Sequence, residues 1–266
     1  MLMTPSAPAN ILTLSLLVAA FGTLVEAASW RGFDNLFLPL GLLIFLSVHA
    51  QDPLPDLLAF AAFFALCIFA VGHVTPRIGL TNHAARVYVI AVFLLLAMTE
   101  VQNAVFPVLC LAAHAWSRKA APCTARHPDL DIVAGVALIS FGWLTLGTVS
   151  GWNAVSFFGL TMMGLMVSLC VIAVSPQPAA VRLPVLATVL AAAVVLRAVI
   201  VPLNPAVANW TGPMWPTTAA CLAVSLLPIA RPQSLTTARV TRLTLLALPI
   251  PLISYLYAVA MKGLYP

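Results

Sequence analysis

The feature that most constrains this chain is a succession of apolar runs, each close to the length of a membrane crossing and most closed by Pro, Asn or Arg. A helix needs about 20 apolar residues, within a range of about 17–25, to cross the hydrocarbon core. Runs of this kind lie at 11–29, 35–50, 57–74, 87–99, 104–116, 132–149, 155–174, 183–201, 214–230 and 243–261, and no internal repeat relates them. Composition agrees: 62% of residues are hydrophobic and 7% charged, with a mean hydropathy of +1.07, whereas soluble domains carry about 25% charge. Such a chain lacks the polar surface to cover a water-exposed particle, and it is far too apolar for disorder. In lipid every backbone polar group must be satisfied internally, so runs without strand alternation read as helices. The expected fold is all-α, a polytopic helical membrane protein with about ten transmembrane helices. Residues 1–266 then form one integral membrane domain in contact with the lipid bilayer.

The stretch 87–116 is the ambiguous part, because Glu100, Gln102 and Asn103 interrupt it and Pro107 follows. The tendency of Lys and Arg to stay in cytoplasmic loops separates one crossing from two. With two crossings, Arg31, Arg77, Arg86, Arg118, Lys119, Arg126, Arg182, Arg231, Arg239 and Arg242 share one side, and Lys262 alone falls on the other. A single crossing reduces the asymmetry to seven against four. Ten spans with both termini outside are therefore predicted, with Glu100, Gln102 and Asn103 in a turn at the outer surface. The first ten residues carry no Lys or Arg, so the basic start of a secretory signal is missing and 11–29 is expected to remain as the first span. Trp152, Trp210 and Trp215 then fall at the outer interface as membrane-belt anchors.

The net charge of +5 comes from basic residues scattered along the chain, with no polybasic block, so no nucleic-acid partner is expected. Five cysteines, Cys67, Cys110, Cys123, Cys170 and Cys221, show no C-x-x-C spacing and read as small buried hydrophobes. Met162, Met163 and Met166 have the look of a copper-type thioether cluster, but such methionines ordinarily pack.

An ionisable residue within a span is a functional candidate by default, since leaving water costs at least about 2.5 kcal/mol near the bilayer centre. Glu26, His49, His73, His114 and Arg197 qualify. Arg197 lies four residues before the break at Val201-Pro202 and is expected to pair with Asp52, Asp56 or Glu100, to snorkel outward, or to recognise an anion. No two histidines have i, i+3 or i, i+4 spacing, so a metal site must draw on separate helices; His73 with His114 and Glu26 is the combination the topology allows. Histidines near span ends more commonly bond loop carbonyls. No nucleophile elbow, glycine-rich phosphate loop or paired-acid hydrolase motif is present, and the chain does not read as an enzyme. Asp52 and Asp56 are kept off a shared helical face by Pro53 and Pro55, while Asp129 and Asp131 read as the solvated end of a cytoplasmic loop.

Several segments taken together resemble one family. VGHVTPRIGLTN at 71–82 is similar to a Gly-Gly-Arg-x-Ile-Pro-x-Phe-Thr-x-Asn motif through Gly72, Pro76, Thr81 and Asn82. HAWSRKAAP at 114–122 leads into DIVAGVALISFGWLTLG, and NAVSFFGLTMMGLM at 153–166, VLRAVIVP at 195–202 and LLPIARPQ at 226–233 follow in order. This set resembles the NnrS family of bacterial inner-membrane proteins associated with haem, copper and protection against nitric oxide. The likeness covers roughly residues 30–233 and implies an inner-membrane protein of nitrosative or metal-related stress, with haem or copper held by His73 and His114 beside a loop shaped by Thr81 and Asn82. The chain departs from the pattern where His73 stands for the motif's Arg, and Thr81 and Asn82 are adjacent. It also lacks the family's His-Ala-His-Glu segment, and it reads Asn153-Ala154 and Ser175-Pro176-Gln177-Pro178 where late histidine motifs belong. Most expected ligands are therefore absent. Two other classes remain open. A small-molecule permease or exporter would use Arg197 beside Val201-Pro202-Leu203-Asn204-Pro205, with Asp52 and Glu100 as further substrate contacts. A membrane-embedded lipid-modifying enzyme would use Glu100 and Asp52 as acid and base.

Overall fold

The computed structural model describes residues 7–28, 34–78, 81–124 and 127–263, and every regular element among them is helical. Arg31 and Arg126 of the charge count, and part of the 71–82 motif, lie outside the described residues. The helices are α1 (Pro8–Ala28), α2 (Asp34–His49), α3 (Leu54–Ile78), α4 (Asn82–Met98), α5 (Val101–Ala120), α6 (Pro128–Ser150), α7 (Val155–Val174), α8 (Ala179–Leu203), α9 (Trp215–Ser225), α10 (Arg239–Ala247) and α11 (Pro249–Lys262). Short 3-10 turns follow α9 at Leu227–Ala230 and Pro232–Leu235. Six segments among the described residues are long and apolar enough to cross a membrane: α1, most of α3, α6, α7, α8 and the α10–α11 run. Large apolar side chains such as Leu66, Phe69, Val149, Leu183 and Tyr257 are exposed, which suits a chain whose solvent is lipid.

The run 87–116 forms two helices, separated at Thr99 and Glu100 where the backbone turns extended. Gln102 and Asn103 do not lie in that turn. They belong to the first turn of α5, where both amides donate to Asn204 Oδ1, at 3.2 and 2.8 Å. Prolines mark fewer ends than their chemistry suggests: α3 continues through Pro76, α5 through Pro107, and α8 through Pro184 and Pro202. Surrounding helices and side chains in membrane proteins satisfy the backbone groups that such prolines free.

The chain gathers into two compact units, Met1–Glu100 and Val101–Pro266. In the first unit, Phe93 of α4 is the aromatic hub, with ring centroids 4.7 Å from Phe64, 5.7 Å from Phe21 and 5.8 Å from Phe45. The second unit is built around α7. All of its residues are buried except Val155 and Gly159, and α5, α6, α8, α9, α10 and α11 pack on it. An apolar helix enclosed on all sides satisfies its few polar groups through its neighbours. Thr161 accepts from Trp143 Nε1 at 3.0 Å, and Ser168 donates to the Ser225 carbonyl at 3.2 Å.

Small residues set how near the helices come. At Gly135 of α6 an added Cβ would stand 2.7 Å from Val240 Cγ1 of α10. Val240 is fully buried and β-branched, so it has little freedom to yield. Gly135→Ala is expected to destabilise the protein by about 1–3 kcal/mol. Combined with Val240→Ala it should cost less than the two single changes added, as read by denaturant unfolding in detergent; simple additivity would show the two residues do not clash.

Candidate functional site

The candidate site residues fall in three places. In the first unit, α2 ends at His49, which is buried and fully engaged. Its Nδ1 lies 2.6 Å from Asp52 Oδ2 and its Nε2 donates to the Ala97 carbonyl at 2.8 Å. Phe60 and Phe45 flank the ring at centroid distances of 4.2 and 4.7 Å. Asp52 is thus held by His49, and its own carbonyl accepts from Asn10 at 3.0 Å. Glu26 on α1 and His73 on α3 are exposed. Thr81 caps α4, its hydroxyl accepting from Ala84 N–H at 3.2 Å, and Asn82 beside it is exposed. Glu100 closes this unit as an exposed residue.

The second place joins the end of α5 to the starts of α6 and α10. Here the reading of Asp129 as a solvated loop end is corrected: it is 5% exposed, pairs with Arg118 and accepts from His114 Nε2 at 3.3 Å. An ionised carboxylate only accepts, so the imidazole carries a proton on Nε2, and in the neutral ring Nδ1 is bare. That Nδ1 is buried and has no hydrogen-bond partner among the described residues. Asp131 is not simply solvated either, since it accepts from Val240 N–H at 2.8 Å and Thr241 Oγ1 at 2.7 Å. A carboxylate there satisfies N–H groups orphaned at the start of α10 and opposes the positive end of its dipole. Arg239, read from sequence as a loop cation, is 2% exposed. It donates to the carbonyls of Leu235, Ala121 and Pro122 and to Ser117 Oγ, at 3.0, 2.6, 3.5 and 3.2 Å.

The third place surrounds Arg197 of α8, which is 2% exposed. It does not snorkel, and Asp52, Asp56 and Glu100 belong to the first unit. Nε donates to Thr218 Oγ1 at 3.0 Å, Nη1 to the Ser156 carbonyl and Nη2 to the Pro213 carbonyl, both at 3.3 Å. Next to it Asn204 exchanges bonds with Asn103, while Asn209 accepts from Ser156 Oγ at 3.3 Å and donates to the Asn204 carbonyl at 3.1 Å. One arginine therefore ties α8 to the first turn of α7, the 204–214 connection and α9.

Comparison with protein-family models, with curated proteins and with solved structures finds no match. The site is therefore read from its own chemistry. His73 and Glu26 belong to the first unit and His114 to the second. Among the described residues no three of His, Cys, Asp and Glu gather as a metal site. Met162, Met163 and Met166 are buried in α7, and Cys67, Cys110, Cys170 and Cys221 are buried free thiols. Sequence reasoning missed Asp129 and Arg239 as buried groups, and it missed the neutral partners of Arg197. One signal was available. Residues 101–266 hold nine basic residues against two acids, so most of those cations cannot find a carboxylate within their own unit.

Proposed function

We propose that this chain is an NnrS-like inner-membrane protein with ten spans and both termini outside, acting in nitric-oxide or metal-related stress. Each of the ten apolar runs coincides with a helix or, for 214–230 and 243–261, with a helix and its continuation. The shorter helices α2, α4 and α9 are taken to cross with local thinning of the bilayer. The observation that carries the family reading is spatial. The resembling stretches 114–122, 153–166, 195–202 and 226–233 lie on α7 or lead from elements packed against it, namely α5, α8, α9 and the turn at Leu227–Ala230.

Of the residues the resemblance points to, His114 has the atom a haem iron or copper ion needs: a buried Nδ1, unpartnered among the described residues, on a ring oriented by a carboxylate. Those groups supply redox and ligand-binding chemistry when bound. In the second unit His114 would hold the group while Asp129 fixes the ring; in the first, His73 is the exposed candidate. Ultraviolet-visible spectra with metal analysis on detergent-purified protein test this directly. A haem or copper signal that falls in His114→Ala or His73→Ala is expected, with greater nitric-oxide sensitivity on deletion. A colourless, copper-free preparation and an unchanged deletion strain would sink the reading.

A second reading, a small-molecule permease, is favoured by Arg197, a buried cation whose partners among the described residues are neutral. Substrate-dependent uptake lost in Arg197→Ala is its signature.

A further inference from the structure

Arg197 presents a charge balance that its own unit does not close. The acids of residues 101–266 are Asp129 and Asp131, and both are engaged where α5, α6 and α10 meet. A guanidinium carries five N–H bonds. Three have acceptors among the described residues, one each on Nε, Nη1 and Nη2. A buried cation in apolar surroundings without a counter-charge is unfavourable, and carbonyl and hydroxyl oxygens offset this only in part.

Beyond its first residue, α7 is buried throughout except at Gly159, which is partly exposed. An added Cβ at Gly159 would have a single heavy-atom neighbour within 4 Å, Arg197 Nη1 at 3.8 Å. The missing side chain thus leaves a notch at a partly exposed position, with Nη1 at its inner end. On the other side, Nη2 is covered by the carbonyl of Pro213, which lies between Gly212 and Met214, both with positive φ, 65° and 49°. A left-handed conformation at methionine is disfavoured, so this covering segment is held by its contacts rather than by its local preference.

We propose that the Gly159 notch is a binding site for a small oxyanion, held by Arg197. The second N–H of Nη1, the guanidinium nitrogen nearest Gly159, suits one oxygen of a planar or tetrahedral anion in a charge-assisted bond. A carboxylate in solution and the phosphodiester of a phospholipid both present that chemistry. The proposal deepens the permease reading by naming its substrate class. Binding and uptake are measured separately, so that binding without uptake removes the permease reading and leaves the site.

The test uses the full chain, purified in detergent and delipidated, titrated with sodium formate against sodium chloride at equal ionic strength. Formate is expected to raise the unfolding temperature by about 3 °C at a tenfold excess over its dissociation constant. Gly159→Ala fills the notch with a methyl in ordinary contact with Nη1 and favours the helix, so it folds while losing the shift. Arg197→Gln should lose it as well. Native mass spectrometry before delipidation provides the lipid arm: a retained phospholipid that Gly159→Ala loses assigns the oxyanion to a headgroup and supports the site. A wild-type protein with neither a formate shift nor a retained phospholipid overturns the proposal, as does binding that Gly159→Ala leaves intact. Formate uptake into proteoliposomes, compared between wild type and Gly159→Ala, then tests transport alone.

Discussion

Replacing Arg239 with alanine is expected to destabilise the protein by about 3–5 kcal/mol, the largest effect of any single change considered. Arg239 is among the largest fully buried side chains, and its guanidinium gathers the Leu235, Ala121 and Pro122 carbonyls and the Ser117 hydroxyl. Truncation leaves a void and strips four acceptors of their donor in a place water reaches poorly. It also loosens the link between the 121–124 segment and the stretch before α10, where Thr124 N–H and Cys123 Sγ both donate to the Thr236 carbonyl at 2.9 Å. Chemical unfolding in detergent measures the loss. Ser117→Ala removes one of the bonds and should cost about 1 kcal/mol, with a double-mutant cycle showing coupling between the two residues. An Arg239→Ala protein within about 1 kcal/mol of wild type would show that the network does not hold this end of the unit together.

Asp129→Ala is the second large effect. The carboxylate is buried between Arg118 and His114, and removing it strands a cation and an imidazole N–H. Breaking a buried pair from one side costs about 3–5 kcal/mol. Arg118 retains a quarter of its side-chain exposure, which places the expected loss at about 3 kcal/mol, the low end of that range. Asp129→Asn keeps the shape and one acceptor and should recover roughly half of it. The same pair of variants bears on the proposed ligand role of His114. Loss of the orienting carboxylate releases the ring, so a metal or haem signal carried by Nδ1 should weaken in both variants even where the protein stays folded. A signal indifferent to Asp129 would separate His114 from any bound group.

The helices were legible in the sequence because a chain without access to water must satisfy its backbone within each segment. The division of 87–116 into α4 and α5 followed from the placement of arginines, and the break at Thr99 and Glu100 agrees with it. The candidate sites were legible only as residues. Arg197 stood out because it is charged within an apolar run, but its partners, Thr218 and the Ser156 and Pro213 carbonyls, carry no charge pattern that could announce them. Asp129 was misread for a related reason. An acid one residue after Pro128 fits a solvated helix start as well as a buried ion pair, and no spacing rule connects it to Arg118 across the intervening loop.

By itself the sequence determined that the protein is an array of apolar helices and where those helices run. The tertiary structure decided which of them is central and which polar groups are enclosed. Hydropathy does not separate a helix facing lipid from one facing other helices, because hydrocarbon chains and a packed interior are equally apolar. α3 and α7 are both strongly apolar, yet α3 exposes Leu58, Leu66 and Phe69 while α7 is buried almost throughout. The same ambiguity hid the interruption of α7 at Gly159, the glycine beside Arg197, a buried cation whose partners among the described residues are all neutral.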